Sequence, residues 1–437
     1  MNLKVLKFGG SSLCDADHFR RVAEIIKSDP ERRYVVASAP GKRFVGDSKV
    51  TDLLYKCYAI AAEEGDITEV FEEIKDRYNT IIDDLGIEIN LSEAYEKIRT
   101  SLLHSSGRDY VASRGEYLNA MILAKYLGFT FVDSKKIIFF NEDGSFNADK
   151  TNEVVKEYLS RYENAVIPGF YGSMPNGTVK TFTRGGSDIT GSIIARAMSA
   201  SLYENWTDVS GVLMADPRII DDPKVIDVIT YKELRELSYM GATVLHEDAI
   251  FPVRCSKIPI NIRNTNKPEE KGTYIVPSTD LPNLNVITGI AGKTGFSTIT
   301  VEKDMMNSDL GFARKTLQVI EENGIPFEHF PSGIDTMTVV VPTKALEKRR
   351  ADVLAGICKN VNPDNIFVEE NLSLIAVVGR GMIRAKGTAA RVFGALAAAD
   401  INVRMIDQGS SELNIIIGID SNDYVDAINA IYREFMK

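Results

Sequence analysis

Residues Leu6–Ser12 read LKFGGSS: a lysine near the end of a short apolar run, an aromatic, two glycines and two serines. Leu3–Phe8 has the short apolar pattern of a buried strand. From Asp15 to Ser28 the spacing turns helical, with Phe19, Val22, Ala23 and Ile26 on one face. Lys7 therefore sits at the C-terminal end of a strand that feeds a helix, the end at which open α/β sheets bind ligands. Two adjacent glycines let backbone N–H groups approach an anion, and the helix that follows turns its positive dipole end inward. The stretch matches neither GxxxxGK[ST] nor GxGxxG, so it is not a P-loop or a dinucleotide fingerprint. Taken alone it leaves phosphate binding and a plain strand-to-helix turn both open.

A second glycine pair narrows the choice. Thr178–Met198, TVKTFTRGGSDITGSIIARAM, again gives strand, glycine pair and helix. Two such turns in one α/β region suggest a ligand held between two loops. Arg184 offers a bidentate fork for a carboxylate, and Asp188 is placed to pair with Lys7 and keep it charged. A third element, Trp206–Arg218 (WTDVSGVLMADPR), is a strand end followed by a loop with Asp208, Gly211, Asp216 and Arg218. Asp, Gly and Pro make turns on their own account, so a surface loop explains it equally.

Further strands are expected at Tyr34–Ala39 and in FTFVD, AVIPGFYG and TVKTFT. Helices are expected at Asp52–Glu64, along the polar stretch from Ile67 to Leu103, and in DYVASRGEYLNAMILAKYLG, closed by Gly128. The alternation implies an open, mostly parallel sheet with helices on both faces. Proline and turn formers gather in YIVPSTDLPNLN (Tyr274–Asn285), and the main boundary is placed there. Beyond it, Gly311 onward and Gly387 onward align without a gap at an offset of 76, so that Met306 matches Met382, Ile325 matches Ile401 and Gly333 matches Gly409. Each copy reads as most of a ferredoxin-like βαββαβ unit. The second lacks a fourth strand, and NVITGIAG (Asn285–Gly292) is expected to supply it, which nests the first copy inside the second. The expected domains are 1–284, then 293–370, then 285–292 together with 371–437.

The totals exclude several classes. A chain of 437 residues is too long for one core. Its net charge of −10, with acids and bases interspersed, gives no basic face for nucleic acid. Cys14, Cys57, Cys255 and Cys358 form no CxxC pair, and His18, His104, His246 and His329 have no metal-ligand spacing. Free thiols, a cytoplasmic location and no protein-held metal are expected. No apolar run reaches the roughly 18 residues of a membrane span, and MNLKVLKFGG has no signal-peptide core.

VLKFGGSS, TRGGSD and TDVSGVLMADPR together resemble the signature loops of the amino-acid kinase superfamily. With GATVLHEDAIFPV and INVRMIDQGSSELNI, the chain is similar over essentially its whole length to the aspartate kinases, whose C-terminal repeat is a pair of nested ACT domains. The resemblance implies transfer of the ATP γ-phosphoryl group to the side-chain carboxylate of L-aspartate. By it, Lys7 and Asp188 are catalytic, and Lys7, Gly9, Gly10, Thr207, Asp208 and Arg218 meet ATP. Ser38, Thr51, Glu116, Arg184 and Ser187 meet aspartate, with Glu116 on the α-ammonium and Arg184 on the α-carboxylate. Mg2+ is expected to bridge the phosphates through water and ATP. Two departures fall on the ATP side: Thr243 and Glu247 stand where many members have lysine and proline in GAKVLHP, and Leu213 stands where a tyrosine is often found.

In the repeat, Met306, Gly311, Phe312, Glu328, Ser332 and Asp335 are expected to line an effector site. Their acidity favours L-lysine over threonine. Arg404 and Asp407 replace Glu328 and Pro331 in the second copy, which is expected to serve pairing of chains into a homodimer or larger assembly. Rival readings are another amino-acid kinase and a sensor without turnover. The rival of a fused homoserine dehydrogenase is set aside because the chain stops after the second repeat.

Overall fold

The structure is a computed structural model that describes residues 2–104, 107–183, 185–242, 245, 247–279 and 285–436. Along the chain the first strands and helices are β1 (Lys4–Phe8), α1 (Ala16–Lys27), β2 (Arg32–Ala37), α2 (Val50–Ala62), α3 (Thr68–Leu85), α4 (Ser92–Leu103) and α5 (Arg108–Leu127). Then come β3 (Thr130–Phe131), α6 (Ala148–Leu159), β4 (Ala165–Pro168), β5 (Tyr171–Ser173), β6 (Val179–Thr181), α7 (Gly186–Ala197) and β7 (Leu202–Thr207). They continue with β8 (Val228–Thr230), α8 (Tyr231–Tyr239), α9 (Glu247–Cys255), β9 (Ile260–Asn264) and β10 (Thr273–Val276). The C-terminal region holds β11 (Gly289–Glu302), α10 (Phe312–Glu322), β12 (Thr336–Pro342), α11 (Thr343–Glu347), α12 (Arg350–Val361), β13 (Asn365–Val378), α13 (Thr388–Ala398), β14 (Val403–Asp407), β15 (Asn414–Asp420) and α14 (Tyr424–Met436).

The chain divides into two compact units. The first comprises residues 1–212, 225–231 and 244–279; the second comprises 213–224, 232–243 and 280–437. Two short segments on the N-terminal side of the expected boundary, one of them most of α8, thus fold with the C-terminal unit.

The first unit is built on a sheet of order β3-β4-β2-β1-β7-β9-β10-β8, parallel except for the β9–β10 pair. From β1 the chain moves to β2 on one side and returns to β7 on the other, so the C-terminal end of β1 lies at a topological switch point. Side chains alternate along β1. Leu6 and Phe8 join the core under α1 to α5, with Phe19, Val35, Leu54, Ile74, Leu118 and Ile122, while Lys7 points to the opposite face. The stretch from Ile67 to Leu103 forms two helices, because Gly86 takes the left-handed conformation that ends α3. TVKTFT does not join the main sheet. Its β6 pairs antiparallel with β5 in a two-stranded ribbon, since short alternation cannot tell a sheet strand from a hairpin strand.

In the second unit the sheet order is β12-β11-β13-β15-β14. β11 and β13 are long and each serves both repeats. Gly289–Lys293 pairs with Leu374–Val378, and after a register shift Phe296–Glu302 pairs with Asn365–Leu372. β12 binds the second half of β11, and β15 binds the second half of β13. The first ferredoxin-like unit is nested in the second, and Gly289–Gly292 of the NVITGIAG segment completes the outer sheet. Within this unit the buried Glu233 of α8 accepts from the Arg380 guanidinium at 2.9 Å, the Arg380 N–H at 3.0 Å and the Thr288 hydroxyl at 2.6 Å.

Candidate active site

Lys7 is 7% exposed, and its Nζ lies 2.7 Å from Asp188 Oδ1, on the first turn of α7. Asn205 of β7, beside Lys7 in the sheet register, donates its Nδ2 to the same Asp188 oxygen at 2.9 Å. A buried ammonium without a counter-ion is costly, and this arrangement removes the cost while fixing the Nζ position. Asn205 was not legible as a site residue. Its role comes from register across β1 and β7, which no local motif carries.

The glycines next to Lys7 approach other backbone directly. The Gly9 N–H donates to the Trp206 carbonyl at 3.0 Å, so of the two glycine amides it is Gly10's that is left for an anion. A Cβ on Gly9 would lie 3.5 Å from Lys7 Nζ; one on Gly10 would lie 2.8 Å from the Ala39 carbonyl oxygen. The Gly41 N–H donates to the Gly10 carbonyl at 2.8 Å. Gly186 is required by the Phe170 ring, whose Cδ2 would be 2.4 Å from a Cβ there.

Glu116, on α5, is buried. Its carboxyl accepts from the Ala39 N–H, and its Oε2 has no hydrogen-bond partner. Burial pushes its pKa up to about 8, against the lowering effect of the backbone N–H donors and the Arg114 charge. One helical turn on, Asn119 donates to the Ser38 carbonyl at 2.7 Å and leaves its own buried Oδ1 without a partner. Two unpartnered acceptors at i and i+3, beside the Ser38–Ala39 backbone, suit a donor with several N–H groups, such as an ammonium. Asn119 was missed in the sequence because mid-helix asparagine carries no signal of its own.

Ser38 is half-buried at the end of β2, and its N–H donates to the Phe8 carbonyl at 3.2 Å. Thr51 is half-buried in the first turn of α2; Ser187 is buried at the start of α7, against Gly169. Thr207 is half-buried and its hydroxyl donates to the exposed Asp208 at 3.2 Å. Arg218 belongs to the second unit, is exposed, and is bound by Asp216 at 2.6 Å. Arg184, Thr243 and the side chain of Glu247 lie outside the described residues. Among the described residues one group of atoms is close enough to hold a metal: Cys14, Asp15 and His18. Asp15 there caps α1 by accepting from the His18 N–H at 3.0 Å. No helix of the described residues is long and apolar enough to cross a membrane.

The expected effector residues sort differently. Met306 and Phe312 pack inside the core of the first repeat, so their side chains face inward, with Val319, Val339 and Ile357. Gly311 caps α10 at a φ of 82°. Glu328 Oε2 accepts from the Tyr239 hydroxyl at 2.6 Å. Ser332 and Asp335 are exposed, and Asp335 accepts from the Met305 N–H at 2.9 Å. In the second repeat Arg404 pairs with Glu369 at 3.1 Å and Asp407 with His329 at 2.7 Å.

The model of the amino acid kinase family matches residues 2–264, and an ACT domain model matches residues 375–435. Aspartokinase 3 of Bacillus subtilis is 39% identical over 448 residues, covering 99% of this chain and 98% of that protein. The crystal structure of aspartate kinase from Clostridium acetobutylicum, described as an allosteric enzyme, is 49% identical with a TM-score of 0.89, and each chain is covered in full (100%). Aspartokinase III of E. coli, in complex with aspartate and ADP in its R-state, is 25% identical with a TM-score of 0.74, again over 100% of both chains.

Proposed function

The chain belongs to the amino acid kinase family, in its aspartate kinase branch, and we propose that it transfers the γ-phosphoryl group of ATP to the side-chain carboxylate of L-aspartate, giving 4-phospho-L-aspartate. The observation that carries this reading is the buried Lys7–Asp188 pair at the end of the central strand, beside the Gly9–Gly10 turn. The acceptor carboxylate is ionised at neutral pH and needs no base to attack phosphorus. Its oxygen bonds to the γ-phosphorus as the bond to the β-bridging oxygen breaks and ADP leaves. What the protein supplies is charge and position.

In this reading Lys7 meets the transferring phosphoryl oxygens and the Gly10 N–H lies beside them. Asp188 and Asn205 hold the lysine. Glu116 and Asn119 receive the substrate ammonium through their unpartnered oxygens, Arg184 clamps the α-carboxylate, and Ser38, Thr51 and Ser187 line the pocket. Thr207, Asp208 and Arg218 serve the nucleotide. The donors at the turn are an ammonium and backbone N–H groups, and the nearby Asp188 is neutralised by Lys7. That set fits Mg2+ held by nucleotide oxygens and water, where it would screen phosphate charge.

The kinase portion is taken as 1–284, the inner ACT domain as 293–370, and the outer one as 285–292 with 371–437. The inner domain is the seat of feedback inhibition by L-lysine, whose side-chain ammonium would meet Glu328 and Asp335, with Gly311 and Ser332 offering backbone and hydroxyl. The ACT domains join chains into a homodimer or larger assembly. Acyl phosphate trapped as hydroxamate from ATP, Mg2+ and L-aspartate, with and without L-lysine, tests both halves. Turnover suppressed by lysine is expected. Turnover indifferent to lysine would remove the effector assignment, and no turnover would remove the kinase.

A further inference from the structure

The segment after β2 touches both halves of the site. The Ala39 N–H binds Glu116, the Ser38 carbonyl binds Asn119, and Gly41 lies against Gly10 with no side chain between them. A Cβ on Gly41 would stand 2.6 Å from the Gly10 carbonyl carbon and 2.7 Å from the Ser11 nitrogen. Residues 38–41 are thus a rigid backbone spacer between the phosphate turn and the ammonium acceptors.

Something must hold this spacer, because the chain then leaves in an exposed excursion, Lys42–Gly46, with Val45 fully open to solvent. The holder is Arg77 of α3, 4% exposed in the protein interior. Its guanidinium donates to the Gly41 carbonyl at 3.2 Å, to the Ser48 carbonyl at 3.1 Å and to Asp47 Oδ2 at 2.7 Å. One planar fork therefore ties both ends of the excursion to one helix. Asp47 in turn accepts from the Arg43 N–H at 2.9 Å and from its guanidinium at 3.0 and 3.1 Å. Those Arg43 bonds, with the Arg77 charge behind them, hold the Asp47 carboxyl well below the usual carboxylate range. The next residue on α3, Tyr78, donates to the Gly115 carbonyl at 2.8 Å, directly before Glu116. A single turn of α3 thus holds the spacer through Arg77 and the helix that carries Glu116 through Tyr78.

We propose that Arg77 is a positioning residue for phosphoryl transfer: by clamping Gly41 and Ser48 it fixes the distance between the phosphate turn at Gly10 and the acceptor site at Glu116. The inference rests on the aspartate kinase reading. Arg77 acts through its bonds to Gly41, Asp47 and Ser48, so its loss acts on the geometry of attack, where a displacement of about 1 Å costs about 100-fold in rate.

The test is steady-state kinetics on full-length Arg77→Ala and Asp47→Asn, with ADP affinity measured by titration and folding by thermal melt. For Arg77→Ala, kcat is expected to fall about 100-fold while the ADP Kd and the aspartate KM each move less than about threefold. Asp47→Asn keeps the shape and loses the charge, and its kcat is expected to fall about tenfold. Guanidinium ion added to Arg77→Ala at millimolar concentration should recover part of kcat, which a general loss of stability would not allow. An unchanged kcat in folded Arg77→Ala would overturn the proposal, as would a loss that merely tracks the unfolded fraction or falls wholly on ADP affinity. Wild-type protein without aspartate-dependent turnover would instead overturn the reading beneath it, and the proposal with it.

Discussion

Glycine precedes a helix or turn in both units of this protein, for opposite physical reasons. At Gly10 and Gly41 the backbone angles are ordinary, and what forbids a side chain is space: other backbone lies within 3 Å of any added Cβ. At Gly311 and Gly387 there is space to spare. A Cβ on Gly387 would meet nothing within 4 Å, and one on Gly311 would meet only the Arg314 Nε at 3.9 Å. There the requirement is the left-handed conformation, φ 82° and 84°, that starts α10 and α13 at equivalent points of the repeat. The first pair marks a place where backbone must approach backbone and leave room for a ligand; the second marks a fold element copied with its cap. Identical residues in a sequence therefore carry different expectations for mutation.

The sharpest contrast is at the packed turn. Lys7→Met keeps the apolar stem and removes the charge opposite Asp188. Turnover by hydroxamate trapping is expected to fall by about 1,000-fold, with the melting temperature little changed. Retention of a tenth of wild-type activity would mean that the crowded glycines serve packing alone.

Glu116→Gln comes next. The aspartate KM should rise about 30-fold while the ATP KM stays put, because a neutral amide loses a charge-assisted bond to the ammonium. A pH profile sharpens this. With its pKa raised to about 8, the free carboxyl is largely protonated at pH 7 and must ionise to hold an ammonium. The wild-type aspartate KM should therefore fall as pH rises from 7 toward 8 and then level off, and Glu116→Gln should lack that limb. For the unliganded protein the sign is opposite. A carboxyl whose folded pKa exceeds its unfolded value of about 4.5 makes stability decline as pH rises from there toward 8, because the unfolded chain releases the proton first.

How much of this was legible depended on whether the signal was local. The glycine pairs, Lys7 and Asp188 are punctuation at the ends of strands and helices, and they declare themselves in single short stretches. The repeat was legible because both copies kept their caps and core spacing: α10 spans Phe312–Glu322 and α13 Thr388–Ala398, an undisturbed offset of 76. Glu116 sits in a helix with no distinguishing neighbours and was found only through resemblance. Arg77, Asp47, Asn119 and Asn205 were not found at all. Each works by reaching a residue of another segment, and a charged or amide side chain on a helix, strand or loop looks the same whether it faces water or a partner. Met306 and Phe312 show what a position beside a glycine-centred loop leaves open: their apolar side chains are drawn into the core, so what they can offer an effector is backbone.

The open glycines should respond mildly. Gly311→Ala and Gly387→Ala each force alanine into a left-handed angle at a cost of about 1 kcal/mol, read as a lower melting temperature with turnover intact. The pair also separates the two copies. Lysine inhibition should weaken in Gly311→Ala and stay as in wild type in Gly387→Ala, since only the first copy has an acidic residue at the Glu328 position, where the second has Arg404. Equal effects would mean that the copies share the effector.

The smallest effect concerns the hydroxyl that already occupies the expected lysine partner. Tyr239 donates to Glu328 Oε2 at 2.6 Å; loss of solvation and then this bond to a carboxylate push the phenol up to about 12, so it remains a donor throughout the neutral range. An incoming lysine ammonium must compete with that donor for the same oxygen. Tyr239→Phe removes the competitor and leaves the acceptor, so lysine should inhibit at about threefold lower concentration, the worth of one partly solvated hydrogen bond. Glu328→Ala removes the acceptor and should raise the concentration required. Opposite signs from two residues in contact are hard to obtain by general loosening, which would shift both variants the same way. If both weaken inhibition, the Tyr239–Glu328 bond is part of the inhibited arrangement itself, and the effector ammonium must find its anion elsewhere, with Asp335 the other acidic residue of the expected site.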